Sequence, residues 1–128
     1  YTTSRVSRRQ FDFFDNVFPA QIFKAAASLI DPSMFIHPAI EAVRRYDWEN
    51  ETEYYDTLRV YSLSLHDREA TAKTLCIHRN TLAYRLGRIS ELFDIPFEEP
   101  RTALALLNSF QLLEACDANG GVPVNREK

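Results

Sequence analysis

The sequence predicts an all-α fold, a compact bundle of about five to six helices that contains a helix-turn-helix. Apolar residues recur at intervals of three and four through most of the chain, and the strict alternation of a strand is rare. Proline, glycine and asparagine divide this pattern into segments of helix length. The chain has 128 residues, of which 45% are hydrophobic, and this is enough for one core without disulfide bonds.

Residues 1–36 are expected to form an N-terminal segment and helix at the junction to a further, upstream domain. The chain opens with a basic polar stretch and with Tyr1 rather than methionine. An aromatic cluster from Phe11 to Phe18 is predicted to be core, with an interface left open as the alternative. Pro19 is expected to begin or kink the helix.

Residues 37–119 are predicted to be the main domain. Its first helix opens with Pro38 at the first helical position and stops near Asp47. Asn50 and Glu53 then resemble a capping box, which predicts the start of a support helix. The apolar stripe of that helix consists of Tyr54, Leu58, Tyr61 and Leu65.

Two short helices are predicted at residues 68–75 and 79–93, joined by a tight turn. The small Ala72 lets the second helix cross close to the first, and Leu75 and Ile77 fix the crossing. The inward stripe of the second helix is Leu82, Leu86, Ile89 and Phe93. Its outward arc holds Asn80, Tyr84, Gly87, Arg88 and Glu91, with Thr81 and Ala83 on the shoulders.

The last predicted helix opens at Pro100 and ends at the Asn-Gly-Gly of residues 119–121. Leu104 and Leu112 lie off its apolar stripe, so it is expected either to be sandwiched between helices or to meet a partner chain. Residues 120–128 are expected to form a flexible tail.

Composition restricts the class of protein. The two cysteines, Cys76 and Cys116, form no metal-binding pattern, so no metal site is expected and a reduced, cytoplasmic location is favoured. Cys76 is expected to be a small buried packing residue. No apolar run is long enough to cross a membrane or to serve as a signal peptide. No phosphate-binding loop or paired nucleophile and base indicates an enzyme, and no cofactor is expected.

Charge is unevenly distributed along the chain. The segment from Lys73 to Arg88 carries four basic residues and no acidic one, although the formal net charge is −3. Such a face attracts the phosphates of duplex DNA, whereas much of the remaining surface repels them. An acidic cluster from Asp47 to Asp56 is interpreted as a solvated face, with contact to the basic face as the alternative.

The candidate DNA contacts lie on and beside the second motif helix. Arg79 and Asn80 are in its first turn, and their side chains match the hydrogen-bonding edges of guanine and adenine. His78 is either a helix N-cap or a phosphate donor, and Arg85 either contacts DNA or pairs with an acid of the support helix. The full set is Lys73, His78, Arg79, Asn80, Thr81, Tyr84, Arg85 and Arg88.

These residues resemble one family. The string I-H-R-N-T-L-x-Y-R-L from Ile77 to Leu86, with Thr71-Ala72, Leu75, Tyr46-Asp47, Thr57-Leu58 and Tyr61, resembles the C-terminal helix-turn-helix domain of PucR/CdaR-type bacterial transcriptional regulators. The likeness spans residues 37–116, and its core is also similar to the Fis-type motif. It implies a module that binds double-stranded operator DNA while an upstream domain binds a small effector molecule.

A lone recognition helix reads few base pairs, so a homodimer or higher homo-oligomer is expected. Two features depart from the family pattern: residues 62–69 replace a polar, asparagine-containing turn, and Gly87 replaces a long or charged residue. Glycine costs about 1 kcal/mol of helix propensity, and weaker DNA binding or a closer backbone approach is expected there. The alternative function is a helical protein-interaction or dimerisation module, which salt dependence of binding would distinguish.

Overall fold

The computed structural model describes residues 7–118, and all regular structure in this range is helical. A π-helical turn, Phe13–Val17, joins α1 to α2, so Arg8–Leu29 is one continuous helical run, and a short 3-10 turn covers Pro32–Phe35. The all-α class is confirmed. The α-helices are α1 Arg8–Asp12, α2 Phe18–Leu29, α3 Pro38–Asn50, α4 Tyr54–Leu63, α5 Arg68–Leu75, α6 Arg79–Phe93 and α7 Pro100–Ala118.

Most helix limits follow the sequence pattern. The two motif helices, α5 and α6, have the predicted bounds, and α3 and α7 begin at the predicted prolines. Pro19 lies in the first turn of α2, directly after the π-helical turn and inside the continuous helical run. The predicted helix end at residues 119–121 and the predicted tail lie outside the described residues.

The capping box predicted before α4 is wrong. Asn50 is the last residue of α3, and its side chain donates to the carbonyl of Tyr46 instead. The cap comes from Asp47, whose carboxylate accepts hydrogen bonds from the backbone N–H groups of Tyr54 at 2.9 Å and Tyr55 at 2.7 Å. The left-handed conformation of Glu51 turns the chain back so that α3 can cap the next helix.

The core is centred on α4, which packs against α3, α5, α6 and α7. Large apolar side chains from these helices are almost fully buried, and each contributes roughly 1.5 to 3 kcal/mol by leaving water. The largest are Ile40 and Val43 of α3, Leu58 and Tyr61 of α4, Leu82, Leu86 and Ile89 of α6, and Leu106 and Phe110 of α7.

Helix α7 is sandwiched, as one of the two expectations for it required. It packs against α4 on one side and against α2 on the other, and Leu112 is buried while Leu104 remains exposed. Its Ser109 hydroxyl accepts a 2.9 Å hydrogen bond from the backbone N–H of His37 and donates to the carbonyl of Ala105. This contact joins the start of α3 to α7.

The aromatic cluster near the N-terminus is not core, so that prediction is wrong. Phe11 and Phe14 are 58% and 56% exposed. The covered side of α2 consists of half-buried Pro19 and Phe23 with two alanines, and α7 shields only that side. The remaining rings pack on each other: those of Phe13, Phe14 and Phe18 lie 5.2 to 6.0 Å apart.

A polar cluster around the buried Tyr61 connects three parts of the fold. The hydroxyl of Tyr61, a residue only 1% exposed, donates a 2.6 Å hydrogen bond to Glu98 in the loop before α7. The Tyr61 ring stacks on His66 and meets Phe97 edge-on. Burial, reinforced by the Glu98 carboxylate, raises the pKa of Tyr61 from 10.0 to about 12.

We expect Asp47→Ala to lower the free energy of unfolding by about 1 to 2 kcal/mol, because the first N–H groups of α4 lose their acceptor. Urea denaturation followed by circular dichroism measures this loss. Glu49→Ala removes an exposed acid two residues further along α3 and serves as the control. Equal losses in the two variants would show that Asp47 does not act as a cap.

We expect stability to fall between pH 10 and pH 12 because of Tyr61. The folded state favours the protonated phenol, so the stabilising contribution is complete below the ordinary pKa of 10.0 and disappears as pH rises through about 12. Denaturation at about pH 8 and about pH 11 should show the advantage of the wild type over Tyr61→Phe shrinking at the higher pH. A constant difference would contradict this account.

Candidate nucleic-acid interface

The turn between α5 and α6 is fixed by backbone hydrogen bonds. Asp67 caps α5 by accepting from the N–H of Ala70 at 3.0 Å, and α5 ends where Cys76 adopts a left-handed conformation with φ 56°. The N–H of Ile77 then bonds to the carbonyl of Ala72 at 3.0 Å, which closes the helix end. The chain is thereby redirected so that α6 can begin two residues later.

Cys76 was expected to be buried, and this expectation is wrong. The left-handed turn leaves Cys76 exposed, and Ile77 takes the inward place, where it packs against the core. His78 is the N-cap of α6, because its Nδ1 atom accepts a 3.0 Å hydrogen bond from the N–H of Asn80. The capping alternative for His78 is therefore what the geometry shows.

Helix α6 has the two faces that its spacing predicts. Leu82, Leu86 and Ile89 are at most 2% exposed, and Phe93 is half-buried against Tyr46. On the other side the exposed residues are Asn80, Thr81, Ala83, Tyr84, Gly87 and Glu91.

Two arginines of α6 are engaged by other side chains of the protein. Arg85 lies 3.4 Å from the carboxylate of Glu53 and donates to the hydroxyl of Thr57 at 3.3 Å. Its side chain is 20% exposed, so the ion-pair alternative for Arg85 is the one observed. Arg88 forms an ion pair with Glu91 of its own helix at 3.8 Å, and the nearby Tyr54 is the main cause that raises the pKa of its guanidinium.

The first turn of α6 has a different environment. The side chains of Arg79, Asn80 and Thr81 are exposed, and so is Lys73 on α5. Within residues 7–118 no hydrogen bond or ion pair engages the side chains of Arg79, Asn80 or Lys73. Tyr84, one turn further along α6, is 64% exposed. These groups can meet an external ligand without first breaking a contact inside the protein.

Sequence reasoning missed part of this arrangement. Thr57 helps to hold α6 through Arg85, yet it was not a candidate site residue. A signal was present, because Glu53 and Thr57 are four residues apart and therefore share one side of α4. Glu53 also shows that the acidic cluster is not wholly a solvated face, since one member contacts the basic helix.

The space that a side chain at position 87 would occupy is empty. A side chain added to Gly87 would meet no protein atom within 4 Å beyond the local helix backbone. The packing of α6 therefore does not require glycine here.

Residues 7–118 show neither a candidate metal site nor a candidate membrane-spanning helix. Across residues 7–118 no group of three or more His, Cys, Asp or Glu side chains is arranged to hold a metal ion. None of the helices in that range is both long and apolar enough to cross a membrane.

Comparison with known proteins agrees with this geometry. Residues 54–112, from α4 into α7, match the PucR C-terminal helix-turn-helix domain. This segment is similar to the helix-turn-helix domains of that family. A curated relative, the proline-responsive transcriptional activator PutR of Bacillus subtilis, is 35% identical over 68 residues, which are 53% of this chain and 16% of that protein. No solved structure shows significant similarity.

The match assigns a biochemical class to the surface described above. A helix-turn-helix family and a transcriptional activator among its relatives support a DNA-binding regulatory domain. The match covers the support helix α4, the motif helices α5 and α6, and most of α7. The matched segment thus includes Thr57 of α4, which holds Arg85, as well as the exposed first turn of α6.

We expect Gly87→Ala to raise the free energy of unfolding by about 1 kcal/mol, because alanine favours a helix and has space at this position. Thermal and urea denaturation measure the gain. Ser90→Ala, a change to alanine at another exposed position of α6, should have a smaller effect. A destabilised Gly87→Ala protein would mean that the helix backbone there needs glycine.

Proposed function

We propose that α6 of the helix-turn-helix domain enters the major groove of duplex DNA and reads its sequence for a transcriptional regulator. The observation that carries this proposal is the unequal treatment of the basic side chains. Arg85 and Arg88 are paired with the acids Glu53 and Glu91, whereas Arg79 and Asn80 stand exposed in the first turn of α6. That turn is the part of a recognition helix that usually meets base edges.

The proposed roles follow from accessibility. Arg79 and Asn80 donate to base edges, for which a guanidinium suits guanine and an amide suits adenine. Lys73, Thr81 and Tyr84 contact phosphates or sugars around them. These last contacts would fix the register of the helix on the duplex without reading sequence.

The remaining candidate residues make contacts within the protein itself. His78 shapes the start of α6 and can offer its other ring nitrogen to a phosphate. Arg85 is a positioning residue, because its ion pair holds α6 on α4. Arg88, with a side chain 34% exposed, keeps a surface that a phosphate can reach.

The domain is proposed to act as a homodimer. One recognition helix covers only a few base pairs, and paired half-sites about 34 Å apart are the usual arrangement for this motif. By analogy with the proline-responsive relative, the regulator is proposed to respond to a small molecule sensed outside the helix-turn-helix domain. Its place of action would be the cytoplasm, where a bacterial regulator meets DNA.

The test is selection from a pool of random duplex DNA at two salt concentrations, followed by sequencing of the bound fraction. We expect an enriched inverted repeat whose retention weakens with salt, because bound Lys and Arg side chains release counterions. No enrichment and no salt-sensitive retention would instead favour the protein-interaction module.

We expect Arg79→Ala to weaken binding to the selected site by about 1 to 3 kcal/mol and to relax base preference at one position. Fluorescence anisotropy with matched and single-mismatch duplexes measures both effects. Arg45→Ala removes an equal charge from an exposed position of α3 and is the control. If Arg79→Ala lowers affinity equally on every sequence, Arg79 is a phosphate contact and does not read bases.

A further inference from the structure

Two helices of the fold begin with a histidine whose ring accepts a backbone hydrogen bond. At the start of α6 the Nδ1 atom of His78 accepts from the N–H of Asn80 at 3.0 Å, and at the start of α3 the Nδ1 atom of His37 accepts from the N–H of Ala39 at 3.1 Å. Serine, threonine, asparagine and aspartate are the usual residues at this position. Histidine differs from them because its ring has a second nitrogen that the cap does not use.

The cap determines where the proton of the His78 ring lies. A ring nitrogen that accepts from a backbone N–H carries no proton of its own, so the neutral ring carries its proton on Nε2. Nε2 lies across the ring from Nδ1, and its N–H is therefore directed away from the start of α6. A protonated ring has no acceptor at Nδ1, so the observed cap belongs to the neutral form.

The Nε2 atom of His78 is free to meet an external acceptor. His78 is exposed, and within residues 7–118 no hydrogen bond or ion pair engages its Nε2 atom. It directly precedes Arg79 and Asn80, the proposed base-reading residues, in a stretch from Lys73 to Arg88 that contains no acid. A donor at the edge of the first turn is placed to meet the phosphate backbone that borders the groove.

We propose that His78 bridges a DNA phosphate and the base-reading turn of α6. Nε2–H of the neutral ring donates to the phosphate, while Nδ1 continues to accept from the backbone of Asn80. This inference rests on the proposed function and deepens it, because it makes His78 a positioning residue for Asn80. The phosphate then sets the register at which the Asn80 side chain meets a base.

The two hydrogen bonds of the bridge strengthen each other. A ring that accepts at Nδ1 is a better donor at Nε2, and a ring that donates to an anion at Nε2 is a better acceptor at Nδ1, since hydrogen bonds in a chain polarise one another. Phosphate binding therefore tightens the start of α6. Because the ring stays neutral, the contact releases no counterion from DNA, in contrast to contacts made by lysine or arginine.

His37 provides a matched control for His78. It forms the same cap, but it is half-buried at the start of α3, where its backbone N–H donates to Ser109 of α7, outside the proposed DNA surface. Serine at either position keeps an oxygen that can cap the helix but places no donor where Nε2 lies. His37→Ser and His78→Ser therefore test the same change inside and outside the proposed contact.

The first experiment measures binding of the full 128-residue chain to the duplex selected from random DNA, by fluorescence anisotropy at several salt concentrations. We expect His78→Ser to lose affinity about three- to tenfold, as for one neutral hydrogen bond, with no change in salt dependence. Lys73→Ala should instead reduce the salt slope by about one. His37→Ser should change neither quantity, and circular dichroism confirms that both serine variants fold.

Three outcomes overturn the bridge. Full affinity of His78→Ser, or an equal loss in His37→Ser, shows that the His78 ring makes no contact of its own with DNA. A salt slope reduced by about one in His78→Ser shows a charged donor. The penalty for a mismatch at the base whose preference Asn80→Ala relaxes should also fall in His78→Ser, and an unchanged penalty shows that His78 does not position Asn80.

NMR tests the state of the ring directly. Long-range proton–nitrogen correlations distinguish the two neutral tautomers from the protonated ring, and the serine variants assign the signals of His37 and His78. We expect Nε2–H tautomers for both residues in the free protein at neutral pH. Added duplex should shift the Nε2 signal of His78 and leave His37 unchanged. A proton on Nδ1 of His78, in the free protein or in the complex, contradicts the proposal.

Arg79→Ala on the same duplexes separates this proposal from the proposed function. If Arg79→Ala weakens binding and His78→Ser does not, the bridge is wrong and DNA reading stands. If the wild type shows no salt-sensitive retention of any duplex, DNA reading is wrong and the bridge falls with it, whichever tautomer His78 adopts.

Discussion

The structure depends on the packing of α6 against α4. A helix that reads DNA has to be immobile on one side and unobstructed on the other, and α6 meets both conditions. Leu82 and Leu86 bury the inner side, and Arg85 is fixed at the edge by Glu53 and Thr57. Because the same helix has to satisfy a core and a ligand, the charged side chains nearest α4 are used to hold it, and those of its first turn are left outward.

Helix α4 is itself held in place by contacts at both of its ends. Asp47 at the end of α3 caps α4, so the support helix starts at a fixed point relative to α3. At its other end Tyr61 bonds to Glu98 and stacks on His66, which links the turn before α5 to the loop before α7. Both contacts place polar groups where a displaced helix would leave them unsatisfied, and such a loss costs roughly 1 to 3 kcal/mol per buried group. The position of α6 is therefore determined by contacts at both ends of α4.

The sequence was sufficient for the features that periodicity determines. The bounds of α5 and α6, the start of α7 at Pro100 and the inner stripe of α6 all follow from apolar spacing and helix-breaking residues. The sequence was insufficient where contact with a distant segment determines a cap or the burial of a side chain. Asp47 reaches the next helix only because Glu51 reverses the chain, and no local pattern announces that contact. The burial expected for Phe11 to Phe18 depends on which helix covers them, and spacing alone cannot tell a covered stripe from an uncovered one.

Backbone strain and glycine are distributed in an unexpected way in this fold. Within residues 7–118, five residues without glycine's freedom adopt left-handed conformations at helix ends: Glu51, Leu65, His66, Cys76 and Asp94. Each left-handed L-residue costs roughly 1 to 2 kcal/mol, and glycine would remove that cost. The glycine at position 87 instead lies in the middle of α6, where it weakens the helix and where the fold leaves open space. The fold provides no reason for glycine there, whereas the proposed docking of α6 provides one, since a missing side chain lets helix backbone and DNA approach more closely.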